Sequence, residues 1–378
     1  MTRQEIEEKV RAFLIDDLEI DEDKIFDEAK LKEDMGIDSL DFVDIVVIVE
    51  KNFGFKIKPE EMQGVTTLSQ FCDYIERKVG EGRMAERAWA GTTYGNSLMH
   101  RWLIGLLRVL DVRLIYAFAR VFVVPPSMLF HPGYGFIYRY FRERWGYGPL
   151  KACWKTYQNH CVFAEAVIDK FAMYAGRRFD IRIEGYEHYQ QLAQRPEGFV
   201  MLSSHVGNYE IAGYSLTAVN KPLNALVYFG EKESVMRNRN RMFSHTNIRM
   251  IPIREDMSHV FEMNSALTRG EIVSIPADRI WGSSKCLKVP FLGREARFPL
   301  GPFSVATARG LSVLAVHVMK TSTRGYTVYV TPLSYDREAH RSHQIEQLSG
   351  QYVAELERIV RMYPTQWYNF FEFWQCVN

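Results

Sequence analysis

Residues 199–210 read Phe-Val-Met-Leu-Ser-Ser-His-Val-Gly-Asn-Tyr-Glu. The first five form an apolar run of strand length, the next residues a short turn, and the last ones a helix start. Working outward, strand-like runs recur at 179–183, 199–203, 224–228, 249–253, 272–276, 286–289, 312–319 and 326–331, with helices between them and a long one at about 339–362. This alternation predicts an α/β domain, a mixed sheet covered by helices.

Upstream, residues 98–130 are apolar, aromatic and basic. A membrane span needs ~20 mostly apolar residues. Arg108, Asp111, Arg113 and Arg120 interrupt this run, and Pro125-Pro126 is expected to stop it. The expectation is one or two helices lying in a membrane interface, with an ordinary surface helix pair as the alternative. Residues 79–97 are rich in Gly, Ala and small polar residues and read as a linker, which if flexible spans about 24 Å r.m.s..

Before that linker lies a module of a different kind. Residues 3–15 place Ile6, Val10, Phe13 and Leu14 at helical spacing, and a helix is expected to start near Ser39 and end before Gly54. Pro59 opens a short helical turn, and 67–78 reads as a last helix, giving a four-helix module. Residues 1–78 carry 21 Asp/Glu against 11 Lys/Arg, a net −10, while the remainder carries 25 against 36, a net +11. An acidic module is thus joined to a basic one. The expected division is 1–78 acidic four-helix module, 79–97 linker, 98–177 helical interface region and 178–378 α/β core.

With 378 residues, 47% hydrophobic and 25% charged, the composition excludes a disordered or collagenous chain. Cys72, Cys153, Cys161, Cys286 and Cys376 form no CxxC pair, so neither a zinc site nor a disulfide framework is expected. The acidic, amphipathic N-terminus is unlike a secretory signal. Nucleic-acid binding is disfavoured, because basic and aromatic residues follow no reader motif.

The chemistry points to His205. An imidazole is a suitable general base for a hydroxyl or amine nucleophile near neutral pH. Glu210 is its candidate partner if His205 lies in the turn and Glu210 in the helix's first turn. On one continuous helix the two would be about 140° apart and could not meet. The bland alternative is a turn histidine beside an ordinary first-turn glutamate. Backbone N–H groups near Gly207 are candidate oxyanion donors. Arg237, Arg239 and Arg241 form a basic cluster that could bind a phosphate or an acidic partner helix, or simply face solvent. Asp278 could orient a site group from a strand end or cap a turn. No metal cluster accompanies these residues.

The N-terminal module resembles an acyl carrier protein through Asp38-Ser39-Leu40 and the acidic helix after it, with Asp41 and Asp44. The resemblance implies 4′-phosphopantetheine on Ser39, an acyl thioester on its thiol, and as partners a phosphopantetheinyl transferase and acyl-chain synthases. Residues 100–374 resemble the late lipid A acyltransferases. The matching elements, in order, are His205-x-Gly207-Asn208-Tyr209-Glu210, Ala277-Asp278-Arg279, Pro290-Phe291-Leu292-Gly293, Gly301 to Ala306, the strand at 311–318, and Pro364-Thr365-Gln366-Trp367. Arg279 stands where that family usually has Gln. The resemblance implies His205 as base with Glu210 supporting it, an acyl thioester donor, and a place at the cytoplasmic face of the inner membrane. Asn208, Arg237, Arg239, Arg241, Asp278 and Arg279 are its candidate substrate-binding residues.

The reaction expected is acyl transfer from a phosphopantetheine thioester, held by the fused carrier, to a hydroxyl or amine of a lipid or polyene-type acceptor. The alternatives are hydrolysis of the thioester by water, a non-catalytic carrier and scaffold role, or a fused carrier that only recruits synthases while the donor is a separate carrier or coenzyme A thioester.

Overall fold

The computed structural model describes residues 3–16, 18, 20–37, 45, 48–49, 52–53, 55, 57, 65–87, 97–130, 133–209, 211, 216, 221–228, 247–253, 258–280 and 285–374. The chain divides into two compact units, Met1–Ala90 and Gly91–Asn378.

In the first unit, helix α1 (Arg3–Asp16) buries Ile6, Val10, Phe13 and Leu14, the residues its period places on one face. They pack with Ile37, Ile45, Val49, Phe71 and Ile75. Arg3 ties α1 to helix α2 (Leu68–Arg87) through Asp73, at 2.6 Å. Helix α2 runs past Lys78 to Arg87, through the first part of the stretch expected to be linker. Gly80 and Gly82 each weaken a helix by about 1 kcal/mol, but the Glu, Arg, Met and Ala around them are good helix formers.

The second unit opens with helices α3 (Ser97–Val109), α4 (Val112–Phe118), a π turn at Ala119–Val123, α5 (Val124–Phe130), α6 (Tyr134–Glu143) and α7 (Pro149–Tyr174). Asp111 caps α4 by accepting the Arg113 N–H at 2.8 Å. Pro125 and Pro126, expected to stop the helix, instead lie in the first turn of α5. The π turn just before them already interrupts the regular hydrogen-bond ladder, so the missing N–H groups are accommodated within the helix. The stretch Val112–Leu129 is therefore one helix, long and apolar enough to cross a membrane by length and composition. One side, with Val112, Ile115, Tyr116 and Ala119, packs against α7 residues such as Ile168. Leu114, Phe118, Val121 and Phe122 are exposed.

The sheet has seven strands in the order β1-β9-β8-β2-β5-β3-β4. These are β1 (Asp180–Glu184), β2 (Phe199–Ser203), β3 (Leu223–Tyr228), β4 (Ile248–Ile253), β5 (Ile272–Pro276), β8 (Ser312–Lys320) and β9 (Gly325–Leu333). All neighbours run parallel except β8 and β9. Helices α8 (Tyr186–Ala193), α9 (Ser258–Thr268), α10 (Gly301–Thr307) and α11 (Arg341–Met362) complete the layers. Phe199, Met201, Ile272, Leu314 and Val316 form one face of its core. The mixed, helix-covered sheet is the architecture expected from the alternation of strand-like and helical runs.

Strands β6 (Cys286–Phe291) and β7 (Arg294–Pro299) form a separate antiparallel hairpin. Sequence reading finds β6 but not β7, because Arg294-Glu295-Ala296-Arg297 reads as a polar loop. The turn is Leu292-Gly293, with φ of 51° and 77°. A positive φ at both central residues matches the twist of a two-residue hairpin. Glu357 of α11 accepts the Leu292 N–H at 2.6 Å and fixes the turn. The hairpin delivers Phe291 into an aromatic cluster with Phe298, Trp367, Phe373 and Trp374. Phe291 is fully buried, so Phe291→Ala is expected to cost about 3–5 kcal/mol. Denaturant unfolding of the second unit's transition measures this cost.

Candidate active site

Ser203 ends β2 and Pro276 ends β5, and the two are register partners in parallel strands. Each chain continues by two residues, to His205 and to Asp278. The equal overhang places them side by side at the carboxyl edge of the sheet. The Asp278 carboxylate accepts the His205 backbone N–H at 2.8 Å through Oδ2 and meets the ring Nδ1 at 2.8 Å through Oδ1. Among the described residues, the carboxylate beside His205 is that of Asp278. Glu210, expected in this place from the local spacing, lies outside the described residues, as do Ser39, Arg237, Arg239 and Arg241. The lead-in to Ser39 is described: Gly36 has φ of 74°, and Ile37 is buried in the core of the first unit.

Asp278 is 2% exposed and the His205 side chain 26%. Burial pushes Asp278 up, but His205 and the charge of Arg279 outweigh it and hold the carboxyl below its usual range. An ionised carboxylate only accepts, so the bond to Nδ1 fixes the tautomer with its proton there. Nε2 is left as the basic nitrogen, and no hydrogen-bond partner occupies it among the described residues. Burial and Arg279 together pull His205 below the ordinary imidazole value, against Asp278. The ring is therefore neutral at pH 7.

The loop after His205 is tied down on the other side. The Gly207 N–H donates to the Gln366 carbonyl and the Asn208 N–H to the Val318 carbonyl, both at 2.8 Å. These amides, expected as oxyanion donors, are already committed. Gly207 has φ of 56°, and a Cβ there would lie 1.8 Å from the Val318 carbonyl oxygen. Only glycine lets the loop approach β8 this closely. The Gln366 side chain bonds both the N–H and the C=O of Lys320, at 2.9 and 2.7 Å. The Pro-Thr-Gln-Trp segment thus works as a splint between β8 and the loop. Asn208 is buried, and its amide donates to the Ala166 carbonyl at 3.3 Å, so it faces α7 rather than a substrate. Arg279 donates to the Tyr368 carbonyl at 2.9 Å and lies over the Phe371 ring. It braces the C-terminal segment, whose Tyr368 N–H meets the His205 carbonyl at 3.3 Å.

Beneath the pair, the Ser204 hydroxyl meets Nδ1 of His317 at 2.9 Å. His317 is 1% exposed, and its Nε2 is buried without a partner among the described residues. An unfilled acceptor costs less than an unfilled N–H, so the proton sits on Nδ1 and is donated to Ser204. The Tyr352 hydroxyl donates to the Ser203 carbonyl at 2.8 Å. Burial lowers His317 to about 4. A depressed folded value contributes stability that is full above the unfolded value near 6.5 and is lost as pH falls toward 4. From pH 7 to 4.5, wild type is expected to lose about 2–3 kcal/mol more than His317→Gln, which cannot charge. Denaturant unfolding at the two pH values checks this.

Comparison with known proteins agrees with both halves. The family described as bacterial lipid A biosynthesis acyltransferase matches residues 163–375. The phosphopantetheine attachment site family matches residues 8–75. The acyl carrier protein of Thermotoga maritima is 39% identical over 79 residues, covering 21% of this chain and 98% of that protein. That of Akkermansia muciniphila is 39% identical over 80 residues, covering 21% of this chain and 100% of that protein. Among solved structures, the 1-acyl-sn-glycerophosphate acyltransferase PlsC from Thermotoga maritima aligns over 72% of this chain and 99% of that one. Its identity is 16% and its TM-score 0.32. The chain belongs to the bacterial lipid A biosynthesis acyltransferase family, with a phosphopantetheine carrier module of the acyl carrier protein type fused at its N-terminal end.

Proposed function

We propose that the enzyme transfers an acyl chain from the thioester of its own carrier to a hydroxyl or amine of a lipid-type acceptor, with His205 as general base and Asp278 as its orienting partner. The observation that carries this reading is the double contact of Asp278 with the His205 backbone and ring, which leaves Nε2 directed away from the carboxylate on a ring that reaches solvent. His205 Nε2 takes the acceptor's proton as the acceptor attacks the thioester carbonyl, and returns it to the departing thiol. Asp278 stabilises the imidazolium that forms between these events. The group on Ser39 supplies the activated acyl ester. Ser39 follows a core-anchored Ile37 within a carrier-type module, which suits an attachment site, and the Asp38-Ser39-Leu40 motif supports it.

Membrane contact on the cytoplasmic face of the inner membrane is part of the same reading. Trp102, Val109, Leu114, Phe118, Phe122 and Leu129 present exposed apolar surface, and Arg108 and Arg113 are exposed beside them. Apolar side chains at the acyl boundary with arginines at headgroup level suit a helix lying on an anionic surface. Phosphopantetheinyl transferase and acyl-chain synthases are its expected partners on the carrier.

Two outcomes test the proposal. Full-length chain is modified with a phosphopantetheinyl transferase and an acyl-coenzyme A, mixed with vesicles of bacterial inner-membrane lipid, and followed by intact-protein mass. The acyl increment is expected on wild type and not on Ser39→Ala, and its discharge is expected to need His205; discharge unchanged in His205→Ala contradicts the assignment. The pH dependence carries a sign. The base works when neutral, so the acid limb of the rate lies below pH 6.5. Removing the carboxylate in Asp278→Asn removes a charge that raises His205, so the limb moves to still lower pH. The plateau rate is expected to fall by about 10²–10⁴ as the tautomer is lost.

A further inference from the structure

We infer that Asp169 and Lys320 form a positioning pair for the His205 loop, an assignment that rests on the function proposed above. Both are charged groups in the interior: Asp169 is fully buried and the Lys320 side chain 7% exposed. They form an ion pair, and Asp169 also accepts from the hydroxyls of Tyr116 on α4 and Tyr326 on β9. Lys320 donates to the Tyr116 hydroxyl at 2.9 Å and lies 3.9 Å from Glu165. Glu165 in turn accepts from Arg120 at 2.9 Å. One carboxylate therefore gathers α4, α7, β8 and β9.

A buried ion pair is a poor source of stability, since replacing it by apolar groups of similar size is often neutral or better. Its effect is to be sought in what it orients. Lys320 ends β8, two residues beyond Val318, against which Gly207 and Asn208 are fixed. Its backbone N–H and C=O are both held by the Gln366 side chain, and the Gln366 carbonyl accepts the Gly207 N–H. From the other side, Asn208 bonds the carbonyl of Ala166, the residue after Glu165. The two residues of the loop nearest His205 on its C-terminal side after Val206 thus hang between β8 and α7, the two elements that Asp169 and Lys320 clamp together. A shift of a fraction of an ångström here displaces the base, and misplacement of that order lowers rate without lowering affinity.

The test uses the full-length acylated chain with vesicles of inner-membrane lipid, measuring the maximal discharge rate, the half-saturating lipid concentration and the melting temperature. Asp169→Asn and Lys320→Met each strand one buried charge and are expected to lower the melting temperature. The double variant removes both charges and is expected to recover it. Positioning predicts that the double variant keeps a maximal rate about tenfold below wild type with half-saturation unchanged. Recovery of rate together with melting temperature overturns the inference, because the pair is then structural only. If the charge variants do not fold, Tyr326→Phe decides, since it removes one hydrogen bond to Asp169 and no charge. A several-fold lower maximal rate at unchanged half-saturation supports the pair, and an unchanged rate overturns it. Wild type and His205→Ala run alongside. Equal discharge by these two overturns the proposed function and this inference with it, whereas a wild-type rate that depends on His205 but is shared by the Asp169 variants overturns this inference alone.

Discussion

One carboxylate, that of Asp278, holds both the backbone and the ring of His205. Its two oxygens act on different groups of the same residue, so the position of the loop and the orientation of the imidazole are set together. This arrangement requires Asp278 to be ionised within the protein. The ring, the backbone N–H and Arg279 provide that, outweighing the burial of the group. The sheet supplies the rest. Parallel strands in register, each overrunning its end by two residues, bring together side chains 73 positions apart.

Around that pair the structure commits its polar groups closely. The Gly207 and Asn208 amides are bonded to Gln366 and Val318, the His205 carbonyl accepts from Tyr368, and the Ser203 carbonyl accepts from Tyr352. A loop with its main-chain groups satisfied from several elements is a rigid platform for a base. The arrangement explains why the closing segment matters to the site although it lies about 160 residues downstream. Trp367 packs into the aromatic cluster built on the β6–β7 hairpin, and the neighbouring Gln366 reaches the loop. Core packing and site geometry are here one set of contacts.

Much of this was legible in the sequence. The buried run at 199–203 and the apolar runs at 272–276 and 312–319 read as strands because period and length agree, and helix α1 follows from its four apolar positions. His205 stands out in the sequence as a candidate base from its place between a strand and a helix start. The carboxylate that the structure sets beside it, Asp278, does not stand out in the same way. Local spacing favours Glu210, whereas pairing with Asp278 depends on strand order and register, which a single sequence does not encode in any short window. The clue available was that Asp278, like His205, stands two residues beyond an apolar strand. β7 was hidden because alternating charges on an exposed hairpin face read as loop. The continuation of the helix through Pro125 and Pro126 was hidden because the π turn that accommodates them has no signature in the sequence. Arg120 interrupts the apolar run at 98–130 in the sequence, and the structure pairs it with Glu165, a partner 45 residues away.

The central claim is that Asp278 holds His205 with its proton on Nδ1 and Nε2 free to act as base. Nitrogen-15 NMR of the labelled full-length protein at pH 7.5 addresses it most directly, with His205 assigned by comparison with His205→Ala. The account predicts a neutral imidazole protonated at Nδ1, with a downfield Nδ1 proton resonance that disappears in Asp278→Asn. A His205 ring protonated at Nε2, or one whose signals are the same with and without the Asp278 carboxylate, would contradict it.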